Sequence, residues 1–296
     1  MQKVLAILGP TGTGKTDLAI LIAQKFNGEV VSADSRQVYR GLNLLSGKVT
    51  AEEACGIPHH MIDIADPKKS YSVSDYKKQA ESVIIDIHSR GKLPIICGGT
   101  GLYADAVLYD KSIPEVPPNT TLREELDNMS LSELQNRLKL LDSNRFEKID
   151  TKNKVRLIRA IEIASALGSV PELKTMSRYD ICAIGITLPA DEMKERIMKR
   201  IINRLNNGMT EEAKSLIDSG VSHERMYDLG LECRYIGLHL KGILSREQMI
   251  DELFRATVRY SKRQMTWFKK NKDIEWFDPK ENERVSNLVK NFLEKK

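Results

Sequence analysis

The sequence predicts an α/β fold: a parallel-sheet core with helices on both faces, interrupted by a mostly helical insertion. Three observations carry this. Short apolar runs alternate with amphipathic stretches over residues 1–100. The texture changes after Tyr109, where Pro114, Pro117 and Pro118 punctuate a linker and residues 120–168 turn charged and helix-patterned. An apolar run then returns at Ile181–Leu188. The expected organisation is a catalytic core from residues 1–114 and 176–296, with residues 115–175 inserted.

Each element has a local reason. Val4–Leu8, followed at once by Gly9, reads as a fully buried parallel strand. From Thr16 to Phe26, Leu18, Leu21, Ile22 and Phe26 recur with helical spacing. Glu29–Ala33 reads as a second strand ending at Asp34, and Tyr71–His88 as a helix. Leu93–Cys97 is a third strand, ending in Gly98-Gly99. Ile181–Leu188 takes the chain back to the sheet, and residues 190–296 are mostly amphipathic helix.

Composition narrows the function classes. At 296 residues, 41% hydrophobic and 29% charged, the chain is globular rather than disordered. The net charge of +5 is unevenly spread: residues 1–110 hold 12 basic and 12 acidic side chains, the remainder 34 and 29. A neutral first third and a basic remainder suggest separate places for catalysis and polyanion binding. Cysteines at 55, 97, 182 and 233 form no CxxC and fit a reducing compartment. The first apolar run is too short for a signal peptide, and no stretch approaches the ~18 residues that span a bilayer. A soluble, cytoplasmic protein with no membrane partner is expected.

The strongest motif is Gly9-Pro10-Thr11-Gly12-Thr13-Gly14-Lys15-Thr16, which fits G-x-x-x-x-G-K-[ST] between a strand and a helix. Such a P-loop aims backbone N–H groups and a helix N-terminus at phosphate oxygens. Lys15 adds a full charge, and Thr16 can ligate Mg²⁺. The core is therefore expected to be P-loop NTPase-like. The motif specifies a polyphosphate without saying whether it is transferred or leaves. A kinase usually has a further strand ending in Asp. Here the third strand ends in Cys97-Gly98-Gly99-Thr100, which weakens a phosphoryl-transfer reading.

Asp34 follows the second strand, and ligands of open parallel sheets bind beyond the strands' carboxyl ends. It can ligate Mg²⁺, accept a proton from an attacking amine, or simply cap a turn. Ser35 and Gln37 offer groups suited to a base edge. Gly98-Gly99 permits close backbone approach to a ligand, with the Thr100 hydroxyl nearby. Lys152, Arg156 and Arg159 share one helical face, and residues 255–272 hold seven basic residues and no acid. The adjacent His59 and His60 cannot grip one metal in the i,i+4 manner. Trp267 and Trp276 read as core or interface.

GPTGTGKT, DSRQVY (34–39), IPHHMID (57–63), GGTGLY (98–103), VRLIRAIE (155–162) and SKRQMTWFKK (261–270), in this order, resemble the tRNA dimethylallyltransferases, also called tRNA isopentenyltransferases. The resemblance covers nearly the whole chain. It implies a P-loop core whose helical insertion grips the anticodon stem-loop. It also implies transfer of a dimethylallyl group from dimethylallyl diphosphate to N6 of adenosine 37 in tRNA, with Mg²⁺. By the resemblance, residues 9–16 (Gly9, Pro10, Thr11, Gly12, Thr13, Gly14, Lys15, Thr16) hold the diphosphate. Asp34 is the general base and Thr100 lies beside the reaction channel. Ser35, Arg36 and Gln37 contact nucleotides near the target. Arg123, Val155, Arg156, Leu157, Ile158 and Arg159 match tRNA-contacting positions, and Arg255 and Arg259 on the last basic stripe are expected to join them. The usual Asp-Ile-Gly-Thr is Asn43-Leu44-Leu45-Ser46 here, and Gly-Tyr-Arg is Glu232-Cys233-Arg234. An arginine that binds diphosphate in some members falls on Leu229, so that contact is assigned to Arg234. These departures are of the kind a diverged second copy of the enzyme would carry. A monomer is expected. The alternatives are an adenylate isopentenyltransferase, a small-molecule kinase, and a non-catalytic tRNA-binding protein.

Overall fold

A computed structural model describes residues 1–110, 113–172 and 177–295. Its sheet has six parallel strands: β1 (Gln2–Leu8), β2 (Gly28–Ser32), β3 (His59–His60), β4 (Leu93–Gly98), β5 (Tyr179–Ile186) and β6 (Glu275–Phe277). Their order is β3-β2-β4-β1-β5-β6. In register, Leu5 stands beside Ile95 on β4 and beside Cys182 on β5. β1 and β4 are buried along nearly their whole length, which explains their uninterrupted apolar runs. After β1 the chain builds one side of the sheet, returns through β4, and then crosses to β5. The carboxyl ends of β1 and β4 thus flank the crevice where ligands bind in such sheets.

Fourteen helices are present among the described residues. The first four belong to the half of the core before the insertion: α1 (Lys15–Lys25), α2 (Asn43–Ser46), α3 (Val73–Ser89) and α4 (Gly101–Leu108). Residues 111–176 form a separate compact unit with α5 (Thr120–Asp127), α6 (Leu131–Leu141), α7 (Ser143–Lys148) and α8 (Lys154–Leu167). The other unit, 1–110 with 177–296, ends in α9 (Ala190–Asn206), α10 (Met209–Asp218), α11 (His223–Leu229), α12 (Leu231–Leu240), α13 (Arg246–Phe268) and α14 (Asn282–Glu294). Capping boxes start three of them: Ser72 with Asp75, Ser130 with Glu133, and Ser245 with Gln248.

Two strands escape the sequence reading. β3 and β6 have two and three residues, too few to show a periodicity. β3 is held by its pairing with β2, where His60 also meets a buried acid. Glu29 on β2, almost fully buried, accepts from Arg90 through both oxygens (2.5 and 2.7 Å), from Lys92 (2.7 Å), and pairs with His60 Nε2 (2.7 Å). The Arg90 guanidinium holds its carboxyl well below the usual range, against the opposing effect of burial.

The inserted unit packs Leu126, Leu134, Leu138, Leu157, Ile158 and Ile161 into its own core. Leu157 and Ile158 were expected to face tRNA; they are buried here, so their side chains cannot. Glu162, also buried, organises the unit. It accepts from Arg123 (2.9 and 2.8 Å), from the Asn119 N–H (2.7 Å) and from Arg159. Burial raises its pKa, but the Arg123 and Asn119 bonds outweigh it and bring it down to about 2. A depressed carboxyl contributes stability above its unfolded pKa that is lost as pH falls toward the folded value. Glu162→Gln should therefore cost about 1–3 kcal/mol, and its deficit relative to wild type should shrink between pH 4.5 and 2. Hydrogen exchange of α8 amides at several pH values measures this.

Candidate active site

The strand ends assemble the site. β1 turns at Gly9, whose φ of 147° and close approach to the Ile186 carbonyl leave no room for a side chain: a Cβ there would lie 2.4 Å from that oxygen. The loop then reaches α1. Pro10 has no N–H to offer an anion; its carbonyl accepts from Lys15 Nζ (2.6 Å) and Thr13 Oγ1 (3.0 Å). Within the expected diphosphate set, Pro10 and the buried Thr13 side chain are therefore structural. Lys15 ends inside the protein. Burial pulls its pKa down to about 8, Arg200 pulls the same way, and Cys97 and Asp34 oppose.

β2 and β4 are stitched together beyond the last ladder bonds. The Ala33 N–H donates to Cys97 O (2.8 Å) and the Thr100 N–H to Ala33 O (3.1 Å). The contact is so close that a Cβ on Gly98 would lie 2.2 Å from the Ala33 oxygen. This places Asp34 beside the phosphate loop. Its Oδ1 accepts the Arg36 N–H (2.8 Å), an Asx turn that leaves the other oxygen to the cavity. Behind it, Thr100 Oγ1 accepts the Ser35 N–H (3.0 Å).

A cavity of about 340 Å³ opens between these elements, lined by Thr11, Lys15, Thr16, Asp34, Gln37 and Arg200 among others. It continues over Val30, Val49, His59 and Cys97. Val30 pairs with His59, and Ser32 with Cys97, so all four lie on one face of the sheet. Burial pushes the Cys97 thiol up to about 11, which makes it a small apolar wall.

Several expectations change. Thr100 braces the Asp34 turn through Ser35, accepting its N–H (3.0 Å) and donating to its Oγ (3.3 Å). Arg36 lines the wall but donates to the Asp228 carbonyl (2.8 Å). Arg234 also lines it, with its guanidinium laid over Tyr227 (3.6 Å) and its Nε donating to Tyr227 O (3.2 Å). The structure brings another cation instead. Arg200 on α9, half-buried, lines the same cavity, and desolvation lowers its pKa while Glu232 and Asp34 oppose. Its trace in the sequence was the spacing Arg196, Arg200, Arg204, which aligns three guanidinium groups on one helical face. Glu232, pushed up by burial, stands 3.6 Å from Arg204.

α13 supplies the remaining wall. Gln264 accepts the Thr11 N–H (2.9 Å) and donates to Gly99 O (2.8 Å), bridging the two glycine-rich turns. It sits within SKRQMTWFKK, a run whose basic residues and family resemblance gave no sign of this bridge. Trp267 donates to Asp105 (3.0 Å), and packs against the core. On the exposed face, Arg255 pairs with Asp251 (3.0 Å), an acid one turn before the all-basic stretch; Arg259 has no ion-pair partner among the described residues. In the inserted unit Val155 and Arg156 are exposed, while Arg123 and Arg159 are held by Glu162. No group of three or more His, Cys, Asp or Glu able to hold a metal occurs among the described residues, and no helix there is long and apolar enough to cross a membrane.

Fold and cavity together define a P-loop α/β protein whose phosphate loop shares a cavity with a strand-tip carboxylate. The profile described as IPP transferase matches residues 37–271. The chain is 37% identical to a tRNA dimethylallyltransferase of Anoxybacillus flavithermus, over 100% of this chain and 97% of the relative. It is 42% identical to tRNA dimethylallyltransferase 2 of Treponema denticola, over 90% and 91%. Among solved structures it is similar to the tRNA isopentenylpyrophosphate transferase of Bacillus halodurans (TM-score 0.77, 36% identity, 99% of this chain and 97% of that one). It is also similar to a eukaryotic dimethylallyltransferase acting on tRNA (TM-score 0.84, 27% identity, 99% and 80%). The chain belongs to the IPP transferase family.

An anion beside Lys15 favours its charged form, so diphosphate binding takes up a proton once the pH passes about 8. The affinity of wild type for magnesium pyrophosphate, divided by that of Lys15→Arg, should fall roughly tenfold per pH unit above this point. Calorimetric titrations from pH 7 to 9.5 test it; a flat ratio contradicts the assignment.

Proposed function

We propose that the chain transfers the dimethylallyl group of dimethylallyl diphosphate to N6 of adenosine 37 in tRNA and releases diphosphate. The observation that carries this is the shared cavity. The half-buried Lys15 and the Asp34 carboxylate line one pocket, while β4 ends in glycines rather than an acid.

The N6 amine is a poor nucleophile because its lone pair is delocalised into the ring. The allylic carbon compensates, since it carries positive charge as its C–O bond stretches. The electron pair of that bond leaves with the diphosphate, N6 bonds to the carbon, and the N6 proton passes to Asp34. Lys15, the loop N–H groups and Arg200 stabilise the charge growing on the leaving group. Each such contact is worth ~2.7–4 kcal/mol in a dry, preorganised site. The five-carbon tail rests on the wall of Val30, Val49 and Cys97. Mg²⁺ bound to the diphosphate would spread its charge further. Thr16, which lines the cavity, suits a cation held by one hydroxyl, substrate phosphates and water.

The target base must leave its stack to enter the cavity, at a cost of a few kcal/mol. Phosphate contacts elsewhere offset this: Arg156 on the inserted unit, which we read as the grip on the anticodon stem-loop, and Arg259 and Lys262 on α13.

With labelled dimethylallyl diphosphate and an anticodon stem-loop carrying adenosine 37, the RNA should become labelled. Label on free AMP alone, or phosphoryl transfer from ATP, contradicts the proposal. Asp34→Asn should lower kcat by ~10²–10⁴-fold with stem-loop affinity unchanged. Arg259→Gln should reduce the salt slope of stem-loop binding by ~0.7–0.9, and Arg255→Gln by less because Asp251 already neutralises it.

A further inference from the structure

Reading adenine takes two complementary groups. Its N6 amine donates, and the flanking ring nitrogens N1 and N7 accept. Asp34 supplies an acceptor. The donor has to come from the same cavity, and most of its polar hydrogens are already turned elsewhere. Ser32 Oγ donates to Gln37 (2.7 Å), Gln37 Nε2 to Gly47 O (3.3 Å), Ser46 to Leu42 O (2.5 Å) and Thr257 to Leu253 O (2.8 Å). Lys15 and Arg200 are committed to the anion, and a cation would not favour adenine over guanine.

His59 Nδ1 pairs with Ile57 O (2.9 Å), and Thr11 and Thr16 belong to the phosphate loop, so Tyr260 is the uncharged donor left on the wall. It lines the cavity from α13, where the charges of Asp34 and Glu232 both reach it. Its position is fixed on two sides. Gln264, one turn further along the helix, clamps α13 to the Thr11 and Gly99 backbones. The Arg263 guanidinium lies 5.6 Å from the ring centre. The Thr100 hydroxyl donates to Ser35 Oγ (3.3 Å) and leaves the phenol's hydrogen to the cavity. Burial, and next the charge of Asp34, push the phenol up from its ordinary pKa, so it stays an O–H donor across the physiological range.

We propose that Tyr260 is a specificity-determining residue that donates a hydrogen bond to the ring nitrogen beside N6, while Asp34 accepts an N6–H. This rests on the adenosine-prenylation reading above. Guanine breaks the pattern: its O6 meets Asp34 acceptor to acceptor, and where the phenol reads N1, guanine's N1–H cannot accept the phenol's hydrogen. The same bond restrains the base so that the N6 lone pair faces the allylic carbon.

The test uses stem-loops with adenosine, 1-deazaadenosine or 7-deazaadenosine at position 37, with wild type and Tyr260→Phe. Wild type should lose ~10–100-fold in kcat/KM on one of the two deaza loops, the scale of one buried hydrogen bond. Tyr260→Phe should lose as much on adenosine and show no further loss on that deaza loop. Its affinity for magnesium pyrophosphate should stay within about twofold of wild type, which controls for folding. The proposal is overturned if the variant discriminates adenosine from both deaza loops as wild type does, or if wild type discriminates neither. Failure of the parent reading looks different: wild type would leave even the adenosine loop unlabelled, and both would fall together.

Discussion

A half-buried ammonium with a backbone carbonyl for its hydrogen-bond acceptor is the constraint around which this protein is built. Lys15 donates to Pro10 O, and burial depresses its pKa to about 8. Desolvating a charge in this way is costly unless a counter-charge arrives. The arrangement therefore stores a preference for an anion, and the glycine turns, the α1 N-terminus and Arg200 point that preference at one place. Asp34 lines the same cavity but is braced by its own Asx turn. The site thus separates an anion end from an acceptor end, as a reaction needs when an anion departs and a proton must be removed.

The two ends are brought together by backbone rather than by side-chain pairing. Ala33 and Gly98 touch so closely that only glycine fits, and Gln264 pins the last long helix across both glycine turns. α13 consequently buries a polar stripe of Thr257, Ser261 and Gln264 where an ordinary amphipathic helix would bury aliphatics. That substitution marks a helix whose inner face belongs to a site as well as to a core. Its outer face keeps the basic residues.

Charge is used in two ways along the basic part of the chain. Arg123 and Arg159 are spent on the buried Glu162, and Arg255 on Asp251. These pairs set geometry locally. Arg259 and Lys262 remain exposed without such a partner among the described residues, while the exposed Arg156 lies 3.5 Å from Asp150. Counting basic residues in a window cannot separate these uses, because the neutralising acid lies a helical turn outside it or on another helix.

The strand–loop–helix around Lys15, the Asp34 turn and the glycine pair after β4 were legible in the sequence because they depend on neighbours close along the chain: apolar runs, glycines needed by the backbone, and a charge placed by a motif. The ordered motifs likewise named the family. The placing of Arg200, Gln264 and Tyr260 at the cavity, the parking of Arg234 on Tyr227 and the burial of Leu157 and Ile158 were decided only by tertiary packing. A helix repeats its faces every few residues, so its sequence says which side chains align but not which face meets a cavity formed more than a hundred residues away. Strands as short as β3 and β6 exist for the same reason: the neighbouring sheet edge, not their own composition, holds them extended.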